Sequence, residues 1–183
     1  MSKVMVIGAG PAGIMAAITA AENHNVVLVD GNEKIAKKLF ITGKGRCNIT
    51  NGKDIGDFFD YIPGNPHFLY SALYSFTNND VIEMIESEGT KLKIERGGRI
   101  FPESDKSSDI IKALSKKLSK AKVDIKLNSK VTDVFFENNT IKSVEINNSQ
   151  KISADYFIIA TGGASYPLTG SRGEGQVLAE KMG

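Results

Sequence analysis

"KVMVIGAGPAGIMAAITAAENHNVVLVD", residues 3–30, decides the fold. A β-rich apolar run, Val4 to Ile7, leads into Gly8-Ala9-Gly10-Pro11-Ala12-Gly13. An alanine-rich segment then reads as a helix through about Asn23, and a second strand, Val26 to Val29, ends in Asp30. Strand, glycine turn, helix, strand and an acid about 20 positions on form the dinucleotide-binding fingerprint in its required setting. Each part has a task. Gly8 permits the tight turn, and Gly10, lacking a Cβ, leaves room for a pyrophosphate. Gly13, with Ala16 and Ala17, lets the helix pack against the first strand. Unpaired N–H groups and the positive dipole end of the helix then face the phosphates. Asp30 is placed to accept hydrogen bonds from a ribose and to repel a 2′-phosphate. The fingerprint alone does not distinguish FAD from NAD. The dipole supplies only about 0.3–1 kcal/mol, so other segments must hold the rest of a dinucleotide.

Working outward, the chain has 183 residues, 41% hydrophobic and 24% charged, which reads as one globular domain. A net charge of +2, from 23 basic and 21 acidic residues, argues against a dedicated nucleic-acid binder. Lys112, Lys116, Lys117, Lys120 and Lys122, interleaved with Leu114 and Leu118, read as the wet face of a helix. The single Cys47 excludes an internal disulfide or CxxC pair, and His24 and His67 have no zinc spacing. There is no signal-peptide pattern and no apolar run of the ~20 residues a membrane span needs. The expectation is a cytoplasmic protein with no metal and no membrane contact.

A second legible stretch is "TGKGRCNITN", residues 42–51. It has too few apolar residues for a core strand or an amphipathic helix. Its glycines can turn backbone N–H groups toward a ligand, and Lys38, Lys44 and Arg46 can neutralise phosphate charge. Further on, "NPHFLYSALYSF" has Pro66 at a first helical position and Phe68, Leu69, Ala72, Leu73 and Phe76 as an expected core stripe. "NNDVIEMIESEG" reads as a helix closed by Gly89. "KLKIERGGRIFPES" reads as a hairpin turning at Gly97-Gly98, and Ser104 or Ser107 opens a helix through Lys120. Strands are expected at 123–128, 130–137, 140–146 and 151–159, with turns at Asn138-Asn139 and Asn147-Asn148. They place a small antiparallel meander before the strand of "ADYFIIATGG". The apolar strand of "YFIIATGG" ends in Ala160-Thr161-Gly162-Gly163, where backbone can pass close under a dinucleotide.

In that order, "GAGPAG", "KKLFITGKGRCNITN", "GGRIFPESDKSSDII" and "ATGGASYPLTGSRGEG" resemble the BaiN-like (YhiN-like) flavoproteins, also described as aminoacetone-oxidase-type FAD-binding enzymes. The resemblance runs the length of the chain, and the GRCN segment is its most specific part. It implies an α/β fold of glutathione-reductase type: a Rossmann-like FAD-binding domain, parallel sheet with helices, plus a small antiparallel β-meander. By matching position it implies FAD contacts at Gly8, Ala9, Gly10, Pro11, Ala12, Gly13, Asp30, Lys38, Gly45, Arg46, Cys47, Ala160, Thr161, Gly162 and Gly163. In related flavoproteins the strand at 130–134 meets the adenine edge through its backbone, which implies Val131 as well. The family commonly has Glu at Asp30, and GSTGDG where this chain has GSRGEG at 170–175. Members are about twice this length, so the resemblance implies residues 1–183 are one incomplete FAD-binding domain of a bacterial two-domain flavoprotein. A weakened hold on FAD is the corresponding expectation.

The implied chemistry is oxidoreduction by FAD, with NAD(P)H as a possible donor and a small organic acceptor, by enone reduction or amine oxidation. Arg96 and Arg99, in an excursion the resemblance places near the active site, are candidates for substrate anions, with salt bridging the favoured reading. No catalytic residue is identifiable. Cys47, a lone thiol without a partner, lacks the logic of disulfide exchange. The alternative is a flavin-binding tRNA-modification or regulatory module, against which the absence of a basic stripe speaks.

Overall fold

A computed structural model describes residues 1–138 and 140–181. Asn139, in the expected turn after the strand 130–137, lies outside the described residues, as do Met182 and Gly183. The strands, in chain order, are β1 (Lys3–Ile7), β2 (Asn25–Val29), β3 (Thr50–Asn51), β4 (Leu92–Glu95) and β5 (Arg99–Pro102). They continue with β6 (Asp124–Lys126), β7 (Val131–Glu137), β8 (Thr140–Ile146), β9 (Gln150–Ser153) and β10 (Tyr156–Ile159). The helices are α1 (Pro11–Ala20), α2 (Tyr70–Ser75), α3 (Asn78–Glu86), α4 (Ser107–Lys120) and α5 (Glu174–Glu180). Two compact units emerge: Met1–Leu39 with Leu114–Gly183, and Phe40–Ala113.

The first unit is built on a parallel sheet in the order β10-β1-β2-β6. Met5 and Val6 are wholly buried, because a central parallel strand is covered on both faces and needs apolar residues at successive positions. Helix α1 starts at Pro11, where the ring's fixed φ suits a first helical residue, and Gly13, Ile14 and Ala17 form its buried side. The helix ends at Ala20, three residues before the expected Asn23. Beside this sheet lies the antiparallel meander β7-β8-β9. Val134, Val144 and Ile146 of the meander share one core with Met5, Ile7 and Val29.

Two expectations about the meander are corrected. The strand expected at 123–128 is β6, which pairs parallel with β2 and belongs to the main sheet. It follows a helix, and a strand returning from a helical crossover aligns parallel. The strand expected at 151–159 breaks at Ala154-Asp155 into β9, in the meander, and β10, in the main sheet. Asp155 anchors the change of sheet: its N–H donates to Lys3 O at 2.9 Å, and its Oδ2 accepts from Lys3 N at 2.7 Å.

The second unit pairs β3-β5-β4 antiparallel, with the hairpin turning at Gly97 and Gly98, both at positive φ. Helix α3 opens with a capping box between Thr77 and Asp80. Ile85, Ile100, Phe101 and Ile110 are among the second unit's buried apolar residues. The stripe expected to be core is not: Phe68 is 82% exposed, and Leu69 and Phe76 are exposed as well. Helical spacing determines which residues share a face, not whether anything covers that face. The short helix α2 stacks Tyr70 on Phe59 and Tyr74 but leaves its apolar side open.

Candidate functional site

At the carboxyl end of β1 the chain turns sharply. Gly8 adopts φ +106°, its N–H donates to Val29 O at 2.8 Å, and a Cβ there would stand 2.5 Å from Ala160 O. Only glycine fits between β2 and the end of β10. Gly13 faces the carbonyl of Gly8 so closely that any side chain would overlap it, which brings α1 hard against the turn. Gly10 differs: a Cβ built on it meets nothing within 4 Å. Room is therefore kept at Gly10 for something outside the chain.

Asp30 closes the other side. Its Oδ2 accepts from Ala9 N at 2.6 Å, and its Oδ1 accepts from Asn32 N and Asn32 Nδ2, each at 2.8 Å. Ala36 also reaches back to the turn, its N–H donating to Ala9 O at 2.7 Å from a left-handed φ of 53°.

Gly8, Ala9, Gly10, Asp30 and Asn32 line a cleft of about 410 Å³ within the first unit, bounded by residues 7–12, 29–32, 37–38, 129–131, 160–162 and 167–172. That volume lies in the ordinary range of small-molecule sites, about 300–1,000 Å³. It brings together Gly8, Ala9, Gly10, Pro11, Ala12, Asp30, Lys38, Val131, Ala160, Thr161 and Gly162. Gly13 lies beneath the turn as a packing residue, and Gly163 is exposed just past the lining. The segment after β10 was legible as family motif; of the part that lines the cleft, Gly170 to Arg172 stood out only as a departure from the family pattern, and Pro167 to Thr169 were not singled out. Neither was Asn32, a polar residue in a turn that propensity alone cannot separate from others.

Gly45, Arg46 and Cys47 belong to the second unit. The segment is a 3-10 turn, Leu39–Gly45, interrupted where Gly43 and Lys44 take left-handed φ of 56° and 57°. The Arg46 guanidinium lies 2.8 Å from Glu95 Oε1 and 3.3 Å from Asp105 Oδ1, and 4.2 Å from the centroid of the Phe101 ring. Lys93 reaches the same two carboxylates, at 2.7 Å to Asp105 and 3.6 Å to Glu95. The hydrogen bond to Glu95 holds the Arg46 proton more firmly than usual, and that from Lys93 leads in holding Asp105 below the ordinary carboxylate range. The charge expected to face phosphate is thus already matched by carboxylates of its own unit. Cys47 is fully buried at φ +63°, and burial pushes its thiol up, away from a nucleophilic thiolate. In the hairpin, Arg99 Nε donates to Arg96 O at 3.1 Å.

The glycine turn, an acceptor carboxylate and the open space at Gly10 suit the ADP half of a dinucleotide: diphosphate at the start of α1, ribose at Asp30, adenine along 129–131. No helix among the described residues is long and apolar enough to cross a membrane.

Comparison with known proteins agrees with the Rossmann-like fold. The family of the HI0933-like protein Rossmann domain matches residues 2–183. The chain is 34% identical over 187 residues to the 3-dehydro-bile acid delta(4,6)-reductase of Clostridium scindens, covering 100% of this chain and 44% of the relative. It is 32% identical over 181 residues to the ribosomal RNA dihydrouridine synthase of Escherichia coli, covering 98% of this chain and 44% of that one. The chain therefore spans less than half the length of the curated relatives it matches. Among solved structures, Mycobacterium smegmatis Sdh1 in the apo form superposes with a TM-score of 0.70 at 18% identity, covering 100% of this chain and 39% of that one. A flavocytochrome c3 fumarate reductase superposes at 0.64 and 22% identity, covering 100% and 40%. At such identities these likenesses speak for the fold alone.

Proposed function

The chain belongs to the HI0933-like Rossmann family, and on that premise we propose that it is the FAD-holding part of an oxidoreductase that delivers hydride from NAD(P)H to an organic acceptor. The observation that carries this reading is the open face of Gly10 opposite the Asp30 carboxylate. FAD, when bound, supplies the two-electron carrier that no side chain of this protein can replace. The residues themselves bind and orient. The backbone at 8–12 and the start of α1 would hold the diphosphate, Asp30 would accept from the ribose, and Val131 would meet the adenine edge through its main chain. Lys38, whose Nζ lies 3.4 Å from Ser165 Oγ, brings positive charge to the rim. Thr161 and Gly162, which line the cleft, would lie against the dinucleotide.

The names of the two relatives support a choice of acceptor class. One reduces a bile-acid double bond; the other makes dihydrouridine, the product of saturating the 5,6 double bond of uracil. The uracil double bond is conjugated to a carbonyl, as in an enone. Two-electron reduction of such a bond places hydride on the carbon distant from the carbonyl and a proton on the neighbouring one. We therefore favour an enone-type acceptor over an amine. The near-even balance of 23 basic and 21 acidic residues favours a small molecule over an RNA-bound base.

The test is to add FAD to the purified protein, desalt, and record flavin absorbance and fluorescence, with NAD as control. Retained, quenched flavin supports the reading. Loss of FAD together with retention of NAD would overturn it. Bleaching of bound flavin by NADPH or NADH, and reoxidation by a steroid enone or by ribosomal RNA, separates the acceptors.

A further inference from the structure

We propose that Asn32 is a positioning residue, a latch that ties the strap at 166–173 to the Asp30 carboxylate and couples ribose binding to closure of that strap. This rests on the nucleotide reading of the cleft. A carboxylate offers about four acceptor sites. Three are taken in Asp30, by Ala9 N, Asn32 N and Asn32 Nδ2. A ribose presents two adjacent hydroxyls. One fits the remaining site on Oδ2, and the other finds an acceptor only if Asn32 Nδ2 lets go of Oδ1.

The same Nδ2 already points its other hydrogen across the cleft, 3.3 Å from Thr169 O. Asn32 Oδ1 accepts from Lys37 Nζ at 3.3 Å, so both ends of the amide are used. The Asn32 main chain is fixed independently, its carbonyl accepting from Asn128 N at 2.9 Å. The side chain can therefore turn without disturbing the end of β2. On the far side Gly170, at φ +94°, is what lets the strap approach: a Cβ there would stand 2.5 Å from Asn32 Nδ2. The strap is internally braced, with Thr169 N donating to Tyr166 O at 2.9 Å and Gly170 N to Pro167 O at 3.1 Å, so it moves as a unit. Displaced from Asp30 by a ribose hydroxyl, the Asn32 amide turns fully to Thr169 and draws the strap over the nucleotide.

The experiment is hydrogen exchange of residues 166–173 in the full chain, with and without ADP, for the unaltered protein, Asn32→Ala and Asn32→Ser. Without ligand, the Asn32→Ala strap should exchange about tenfold faster, the loss of one net hydrogen bond. ADP should protect the strap in the unaltered protein and not in Asn32→Ala. Asn32→Ser, which can still donate to Asp30 but cannot reach Thr169, should lose the protection and, because coupling is reciprocal, bind ADP a few-fold more weakly. Equal ligand-free exchange in all three, or equal protection by ADP, overturns the latch. If the unaltered protein binds neither ADP nor FAD, the nucleotide reading and the coupling fail together. The ligand-free comparison then still decides whether Asn32 holds the strap.

Discussion

Gly13 lies so close beneath Gly8 that a methyl group on it would overlap the Gly8 carbonyl oxygen, whereas Gly10, between them, faces open space. The fingerprint's three glycines are thus not equivalent. Two fold the turn, and the third leaves open space beside it.

Gly13→Ala should destabilise the protein by about 2–3 kcal/mol, because the obstructing atom is backbone and cannot swing aside. Gly10→Ala should leave stability within about 0.5 kcal/mol, since Gly10 has φ −75° and ψ 178°, which alanine adopts freely. It should nevertheless weaken FAD or ADP binding by about tenfold or more, by placing a methyl where the diphosphate approaches. Urea denaturation and nucleotide titration on both variants check the split. Equal stability loss in the two would contradict it.

Ala36 is buried in a left-handed conformation at φ 53°, a strain its short side chain bears while its N–H holds Ala9 O. Glycine there relieves about 1–2 kcal/mol of backbone strain but gives back about as much in lost methyl burial and in unfolded-chain freedom. Ala36→Gly should therefore be near neutral. Ala36→Val should cost about 2–3 kcal/mol, since a β-branched residue resists positive φ and has no space. Thermal unfolding of the pair decides, and a harmless valine would show that the turn is not held as described.

The fingerprint was legible because its parts are local: a glycine turn, a Pro at the helix start and an acid at the end of β2 are set by neighbours in sequence. Pairing was less legible. The return of "YFII" to the main sheet was legible, but that β6 joins β2, and that the chain breaks between β9 and β10, depends on long-range bonds such as Asp155 N to Lys3 O, which no periodicity records. The exposure of Phe68 and Phe76 was illegible for the same reason, since pattern marks a face and not its cover. Within the site, Asp30 was visible from its spacing, whereas Asn32 and Thr169 meet only in three dimensions, 137 positions apart.

Asp105 should make the second unit acid-sensitive. Its hydrogen bonds from Lys93 and then Arg46 lower its pKa in the folded chain, so between the folded and unfolded values the unfolded state binds more protons. The stabilisation is full above the unfolded value, about 3.9, and is lost as pH falls through the folded one. Lys93 is raised, chiefly by the same hydrogen bond, so its contribution is lost at the opposite end, as pH rises through its folded value. Asp105→Asn should flatten the acid limb of the urea midpoint against pH and weaken the alkaline one. An unchanged acid limb would assign the sensitivity elsewhere, for example to Asp133 or Asp80, which are lowered too.

Cys47 offers the sharpest test of whether the GRCN segment is a structural or a reactive element. The thiol is fully buried, and burial raises its pKa, so both access and thiolate fraction are low. Labelling by a disulfide reagent should therefore be slow in the native protein and rise in parallel with urea-induced opening, the pattern of a group exposed only by unfolding. Cys47→Ser keeps the size but buries a hydroxyl, at a cost of about 1–3 kcal/mol if that group finds no partner. Flavin reduction by NAD(P)H in the folded fraction of that variant should be unchanged. Fast native labelling, with a pH midpoint below the ordinary thiol value of about 8.5, would reverse the assignment and make Cys47 a candidate reactive group.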